Sequence, residues 1–327
     1  MELIGQAAAV AAALSFSITS TLLTLAGRRY SPTLVMRGSL PIGLVCILLL
    51  HWITTGGIYP ATEPMRWVYL SVSGMIGFWL GSVSIVNAFA LIGPRLSLLI
   101  GALGPVFSTI LAFIFLGQTL ELIAVVGIVI TISGIVWVVT DGNQDSRRNL
   151  SPEKFRLGVL FALGGAVGQA SSFVLSSQGL KPNVDTVFAA MDTSFKLIMS
   201  DHVADFLANP AGFNPLTASL MRLTAGVIAV WAAAVLRGKV RYTFTTLLEH
   251  RTALRQLSMG AISGPVMGAS LVLVALQNAP VGIASTLANI TPIFLIPIGR
   301  FVFGETITQR AIVGTGITVI GTAILFL

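Results

Sequence analysis

Ten apolar runs, each about 20 residues long, fill almost all of this 327-residue chain, and a run of that length is what an α-helix needs to cross the hydrocarbon of a bilayer. They lie near 3–26, 33–54, 67–92, 95–117, 121–140, 157–180, 215–236, 254–279, 281–303 and 308–327, and are called spans 1 to 10 below. Hydrocarbon offers no water to satisfy peptide groups, so such segments must be helical. The predicted fold class is an all-α integral membrane protein with ten transmembrane helices. Composition agrees, with 55% apolar and only 9% charged residues, where a soluble domain carries about a quarter charged. The first run lacks a basic start and is long enough to span by itself, so it reads as a retained helix rather than a cleaved signal peptide. Cys46 is the single cysteine, which excludes an intrachain disulfide.

The connections are short, which leaves no room for an extramembrane enzyme domain and makes successive helices antiparallel neighbours. Two are longer. Residues 141–156 (DGNQDSRRNLSPEKFR) read as a solvated, cytoplasmic linker. Residues 181–214 set Phe188, Met191, Phe195, Ile198 and Phe206 at helical spacing against Asp185, Asp192, Asp201 and Asp205, which suits either an interfacial helix or a surface loop. The formal charge of +7 does not point to nucleic acid, because the basic residues are scattered through short connections. Topology explains them. Of the 19 Lys and Arg, only Arg66, Lys181, Lys196 and Arg222 fall toward the even-numbered connections. The positive-inside rule therefore puts the odd-numbered connections in the cytoplasm of a multi-pass plasma or inner membrane protein, and both termini outside.

Sliding the chain against itself aligns residues 70–140 with 257–327 at a constant offset of 187. Gly77 meets Gly264, Gly81 meets Gly268, Pro105 meets Pro292, Gly117 meets Gly304, Thr119 meets Thr306, Gly127 meets Gly314 and Gly134 meets Gly321. The first two spans of each half match more loosely, with Met36-Arg37 answering Met221-Arg222. This divides the chain into a first repeat at 1–140, the linker 141–156, and a second repeat at 157–327 that carries the 181–214 insertion. Each half holds five spans, an odd number, so the halves enter the membrane in opposite orientations. A 5+5 inverted repeat is the architecture of secondary transporters, which open a midplane site alternately to either side.

The segments GPVFSTILAFIFLGQTLE and TPIFLIPIGRFVFGETIT, each followed by a glycine-punctuated helix, resemble the two EamA domains of the drug/metabolite transporter superfamily. The resemblance covers nearly the whole chain. It implies a ten-helix carrier of small metabolites in which spans 1–4 and 6–9 surround a central cavity and spans 5 and 10 are peripheral. In the first copy Gln118 stands where the pattern has Glu. The best-known members have cytoplasmic termini, against the charge count here.

Polar side chains deep in a span turn away from lipid toward a partner or water. Ser15 and Thr19 in span 1, Trp79 and Ser82 in span 3, Ser108 in span 4, Gln169 and Ser172 in span 6, and Asn289 and Thr291 in span 9 are accordingly the candidate substrate-binding residues, with Phe107 for an apolar solute. The hydroxyls can equally bond their own helix backbone. Pro105 and Pro292 are expected mid-helix, where a proline frees a carbonyl, either for a packing kink or for a substrate-facing break. Arg37 and Arg222 sit at matching helix starts, as snorkelling residues, gates or anion contacts. The glycines of GxxxGxxxG at Gly260, Gly264 and Gly268, and of Gly77 and Gly81, are expected to pack helices within the chain rather than between two chains. Either a monomer or a homodimer is compatible with that.

No acidic residue lies at depth in a span, which disfavours the single-carboxylate proton shuttle of the small multidrug resistance transporters. A coupling ion, proton or sodium, would need other ligands. No metal cluster and no cofactor motif is present, and His51, His202 and His250 lie at or beyond span ends. The expectation is therefore a secondary transporter, not an enzyme, that moves a small organic metabolite across the bilayer by alternating access, outward by family resemblance. The alternatives are a multidrug exporter of apolar compounds and, in other classes, a membrane-embedded enzyme or a non-transporting scaffold.

Overall fold

The computed structural model describes residues 2–58, 60, 62–116, 122–139, 151–180, 213–278, 284, 287–304 and 308–324, and every regular element among them is helical. In chain order these are α1 (Glu2–Gly27), α2 (Pro32–Thr55), α3 (Pro64–Gly74), a π-helical segment (Met75–Gly81), α4 (Ser82–Gly101), α5 (Gly104–Leu116), α6 (Leu122–Val139) and α7 (Pro152–Leu180). The second half continues with α8 (Pro215–Leu236), α9 (Val240–Glu249), α10 (Arg251–Ala261), a π-helical segment (Ile262–Gly268), α11 (Ala269–Asn278), α12 (Thr291–Ile298), a short π-helical end (Gly299–Phe303) and α13 (Gln309–Ile324). Six stretches are long and apolar enough to cross a bilayer, and four shorter apolar helices accompany them: Leu96–Leu111, Val125–Val138, Thr291–Phe303 and Ile312–Ile324. Outside the described residues lie Gln118 and its neighbours, Glu305, residues 141–150 of the expected linker and nearly all of the 181–214 insertion; the rest of the expected linker corrects the reading, since Pro152–Arg156 are helical and begin α7.

The repeat seen in the sequence recurs in the backbone. The π segments Met75–Gly81 and Ile262–Gly268 are 187 residues apart. So are the turns at 102–103 and 289–290, which interrupt the helix before Gly104 and Thr291. Packing follows the same relation. Gly77 and Gly81 lie against Ser172 and Gly168 of α7, while Gly264 and Gly268 lie against Thr19 and Phe16 of α1. A Cβ on Gly77 would sit 2.5 Å from the Ser172 hydroxyl, and one on Gly264 2.6 Å from Thr19. Small residues at these points let the backbones close. The matching positions in α1 and α7 are thereby fixed: Thr19 answers Ser172, and Phe16 answers Gln169.

The last helices of the two repeats, α6 and α13, pack against each other. A Cβ at Gly134 would meet Thr318 and one at Gly321 would meet Thr131, which are exchanged contacts of equivalent residues. Gly314 meets Val138. As positions rise along α6 their partners fall along α13, so the two equivalent helices run antiparallel. Residue i against j together with i′ against j′ is the mark of a two-fold relation.

Two further sequence expectations need correction. The connection after span 7 contains a helix, α9. Its pattern is amphipathic but short, with Thr243 and Leu247 buried and Tyr242, Phe244 and Leu248 exposed, so a search for long apolar runs passes over it. Tyr30 Oη donates to the Leu247 carbonyl at 3.1 Å, and Trp231 meets the Phe244 ring in a tilted pair with centroids 5.3 Å apart, which ties α9 to the ends of α1 and α8. Second, Pro105 and Pro292 are not mid-helix. Each is the second residue of a helix that begins afresh, where no backbone N–H is required. The interruption is real, but it precedes the proline. Between spans 3 and 4, Gly93 turns the chain with φ 78°, a value that a side chain would oppose, directly before Pro94.

Candidate functional site

A cavity of about 190 Å³ lies between the two repeats. From the first repeat it is walled by Phe16, Thr19 and Ser20 of α1, Met36 and Ser39 of α2, and Phe78, Ser82, Phe89 and Gly101 around the first π segment and α4. The second repeat contributes Gln169 and Phe173 of α7, Arg222 of α8, Pro265 of the second π segment, and Asn289, Thr291 and Pro292 at the break before α12. Both π segments and both helix interruptions border it, since Gly101 ends α4 just where Asn289 marks the equivalent turn. Irregular backbone at such depth is tolerated where it lines a cavity or is buried in protein.

Of the residues chosen from sequence, the structure brings Thr19, Ser82, Gln169, Asn289, Thr291, Pro292 and Arg222 to this cavity. Others lie elsewhere. Ser15 is buried in α1, where its carbonyl accepts from Thr19 Oγ1 at 2.8 Å and from Ser263 Oγ at 2.9 Å. Ser108 donates to the Pro105 carbonyl at 2.9 Å and so serves the start of α5, and Phe107 beside it is half-buried outside the lining. Trp79 is 40% exposed on the outer face. The reason is the π segment: its wider turn, with i→i+5 bonding, rotates Trp79 away from Ser82, whereas α-helical spacing would have kept the two on one face. Trp79→Leu is accordingly expected to leave flux within about twofold of the parent, measured in proteoliposomes, because it removes no cavity contact. A larger loss would place the indole in the solute path.

Polar capacity is unevenly shared. The first repeat offers hydroxyls, Thr19, Ser20, Ser39 and Ser82, several of them spent on their own backbone: Thr19 Oγ1 on Ser15 O at 2.8 Å, Ser20 Oγ on Ser17 O at 2.9 Å and Ser82 Oγ on Gly77 O at 3.1 Å. The second repeat supplies the two amides, Gln169 and Asn289, and the cation Arg222. Position by position, Gln169 answers Phe16, and Asn289 answers Ala102 at the offset of 187. The site is thus built on a symmetric frame with asymmetric chemistry.

The arginines differ most. Arg37 is buried under α9, its Nη1 3.5 Å from Thr243 Oγ1, and its carbonyl accepts from Trp231 Nε1 at 3.2 Å. It does not border the cavity. Arg222 does. It lies about 10 Å along α8 from Pro215, donates from Nη2 to Ser172 Oγ at 2.9 Å, and stacks 5.6 Å from the Phe78 ring. Ser172 in turn donates to the Ser73 carbonyl at 2.8 Å, and Ser73 and Ser176 share a 2.6 Å contact, so a belt of hydroxyls joins α3, α7 and α8. Sequence reasoning named Arg222 and Ser172 separately. Their partnership had no signal in the sequence, because they are 50 residues apart on different helices.

The model of the EamA-like transporter family matches residues 3–140 and 205–327. The chain belongs to that family. It is therefore a multi-pass membrane protein of a transporter family. One solved crystal structure shares the fold, with a TM-score of 0.59 and 16% identity over 97% of this chain and 95% of that one. No curated protein matches the sequence.

Proposed function

We propose that this EamA-like protein is a secondary transporter of a small organic metabolite, with ten crossings arranged as a 5+5 inverted repeat and a solute site between the repeats. The observation that carries the reading is the cavity itself, lined by equivalent elements of both halves, with π segments and helix interruptions at its wall. Exchanged contacts such as Gly77 on Ser172 and Gly264 on Thr19 give the molecule two matched seams. Two such seams allow α1 to rock on the second π segment and α7 on the first, which is what alternating access requires. The cavity wall carries no histidine or carboxylate among the described residues, so a serine there has no base beside it, which favours carriage over hydrolysis. The site is open to no resident cofactor in this reading, and solute moves outward, with the basic linker and α9 on the cytoplasmic side.

The experiment is two-sided accessibility. With Cys46→Ser as background, Ser82→Cys places a thiol in the cavity. A membrane-impermeant thiol reagent is expected to reach that thiol from the cytoplasmic side and, in separate vesicles of the opposite orientation, from the outer side. Labelling from one side only under every condition would remove alternating access. Labelled-metabolite flux in proteoliposomes, with and without a pH gradient, then reports solute and coupling.

A further inference from the structure

Arg222 is a cation without a counter-ion among the described residues. It is 3% exposed, no carboxylate among the described residues lies within ion-pair distance, and its buried Nε has no hydrogen-bond partner. Of five guanidinium N–H donors, the Ser172 hydroxyl takes one. Holding an unpaired charge at such depth costs several kcal/mol, and a neutral side chain would serve the packing of α8 on α3 and α7 as well. Its pseudo-symmetric counterpart Arg37 is likewise buried with an unpartnered Nε, but it lies beneath α9 and off the cavity, so only Arg222 can meet a solute there. Around Arg222 the cavity offers Phe16, Phe78, Phe89 and Phe173, and beyond them the amides of Gln169 and Asn289.

We propose that Arg222 is the anion-binding residue of the solute site, and that the solute is an organic anion whose carboxylate, sulfonate or phosphate sits on the guanidinium while its apolar body lies among the phenylalanines. This rests on the transporter reading and names its substrate class. A guanidinium presents paired donors that match a carboxylate or phosphate edge, and Nη2 is already oriented by Ser172 and by the Phe78 ring. A zwitterion fits less well, because the described wall supplies no carboxylate for an ammonium group. A cation is opposed outright.

The test is a charge series of near-equal shape, titrated calorimetrically into the purified full chain: 2-phenylethanesulfonate, 3-phenylpropanamide and 2-phenylethylamine. The sulfonate is expected to bind at least about tenfold tighter than the amide or the amine, the step that one charged hydrogen-bonded contact supplies. Arg222→Gln should erase that preference while leaving amide binding in place. Arg222→Lys should keep part of it, since charge remains and the planar fork does not. Should Arg222→Gln fail to fold, Arg222→Lys and the wild-type ranking still decide the matter. Equal binding of the three probes to wild type, no binding of the sulfonate, or a preference that survives Arg222→Gln would overturn the assignment. Protection of Ser82→Cys from the thiol reagent by the sulfonate places the bound anion in the cavity, and labelling without protection would also count against it. Two-sided labelling of Ser82→Cys with no anion preference would sink the substrate class and leave the transporter reading standing; one-sided labelling would sink the latter.

Discussion

Gly168→Leu is expected to destabilise the folded protein severely. A Cβ at this point of α7 would lie 2.9 Å from Gly81 Cα and 3.0 Å from Gly81 N, so it meets backbone rather than a side chain that can turn away. Overpacking against movable groups costs about 1–3 kcal/mol. Here two helices must separate, and a loss of about 3 kcal/mol or more is a large part of a typical stability of about 5–15 kcal/mol. The wall of the cavity would open as well, since Gly81 and Gln169 both border it. Gly164→Ala, one turn away, is the control. Its Cβ finds nothing closer than the Ser84 hydroxyl at 3.7 Å, so it should be neutral or stabilise by up to about 1 kcal/mol through helix propensity. Size-exclusion profiles and thermal unfolding in detergent give the comparison. A Gly168→Leu protein that melts with the parent would mean that α7 does not touch the first π segment.

The second large effect falls on flux with the fold intact. Gly101 borders the cavity at the end of α4, and an added Cβ there has only Leu98 Cδ2, at 4.0 Å, near it. Gly101→Phe therefore puts a ring into space that solute would occupy, without displacing backbone. Transport is expected to fall at least about tenfold, as the loss of a positioned site implies, while the melting temperature shifts by no more than a few degrees. Solute flux at parental rates in Gly101→Phe proteoliposomes would move the path away from this cavity.

These two glycines show what could and could not be read in advance. The repeat was visible because glycine and proline at Gly77, Gly81, Pro105, Gly127 and Gly134 recur at one offset, and only a shared backbone requirement keeps such residues in register. The role of Gly168 was invisible, because the 181–214 insertion breaks that offset between the early helices of the halves and hides the match of Thr19 with Ser172. Trp79 misled for a related reason. Periodicity assumes 3.6 residues per turn, and the π segment departs from it at the very place where the site is built. Pro105 and Pro292 marked the interruptions but lay two residues past them. Helix α9 escaped because an amphipathic surface helix of ten residues has no long apolar run.

Length and spacing of the apolar runs, with the recurrence of small residues, were enough by themselves to determine a helical membrane protein built from two related halves, because the bilayer permits few ways to satisfy the backbone. Tertiary structure alone decided which polar groups face one another. Arg37 and Arg222 each follow a methionine near the start of a matching helix, yet one lies beneath α9 and the other borders a cavity. That difference is set by what packs over each guanidinium, and contacts between distant helices leave no trace in the order of residues along the chain.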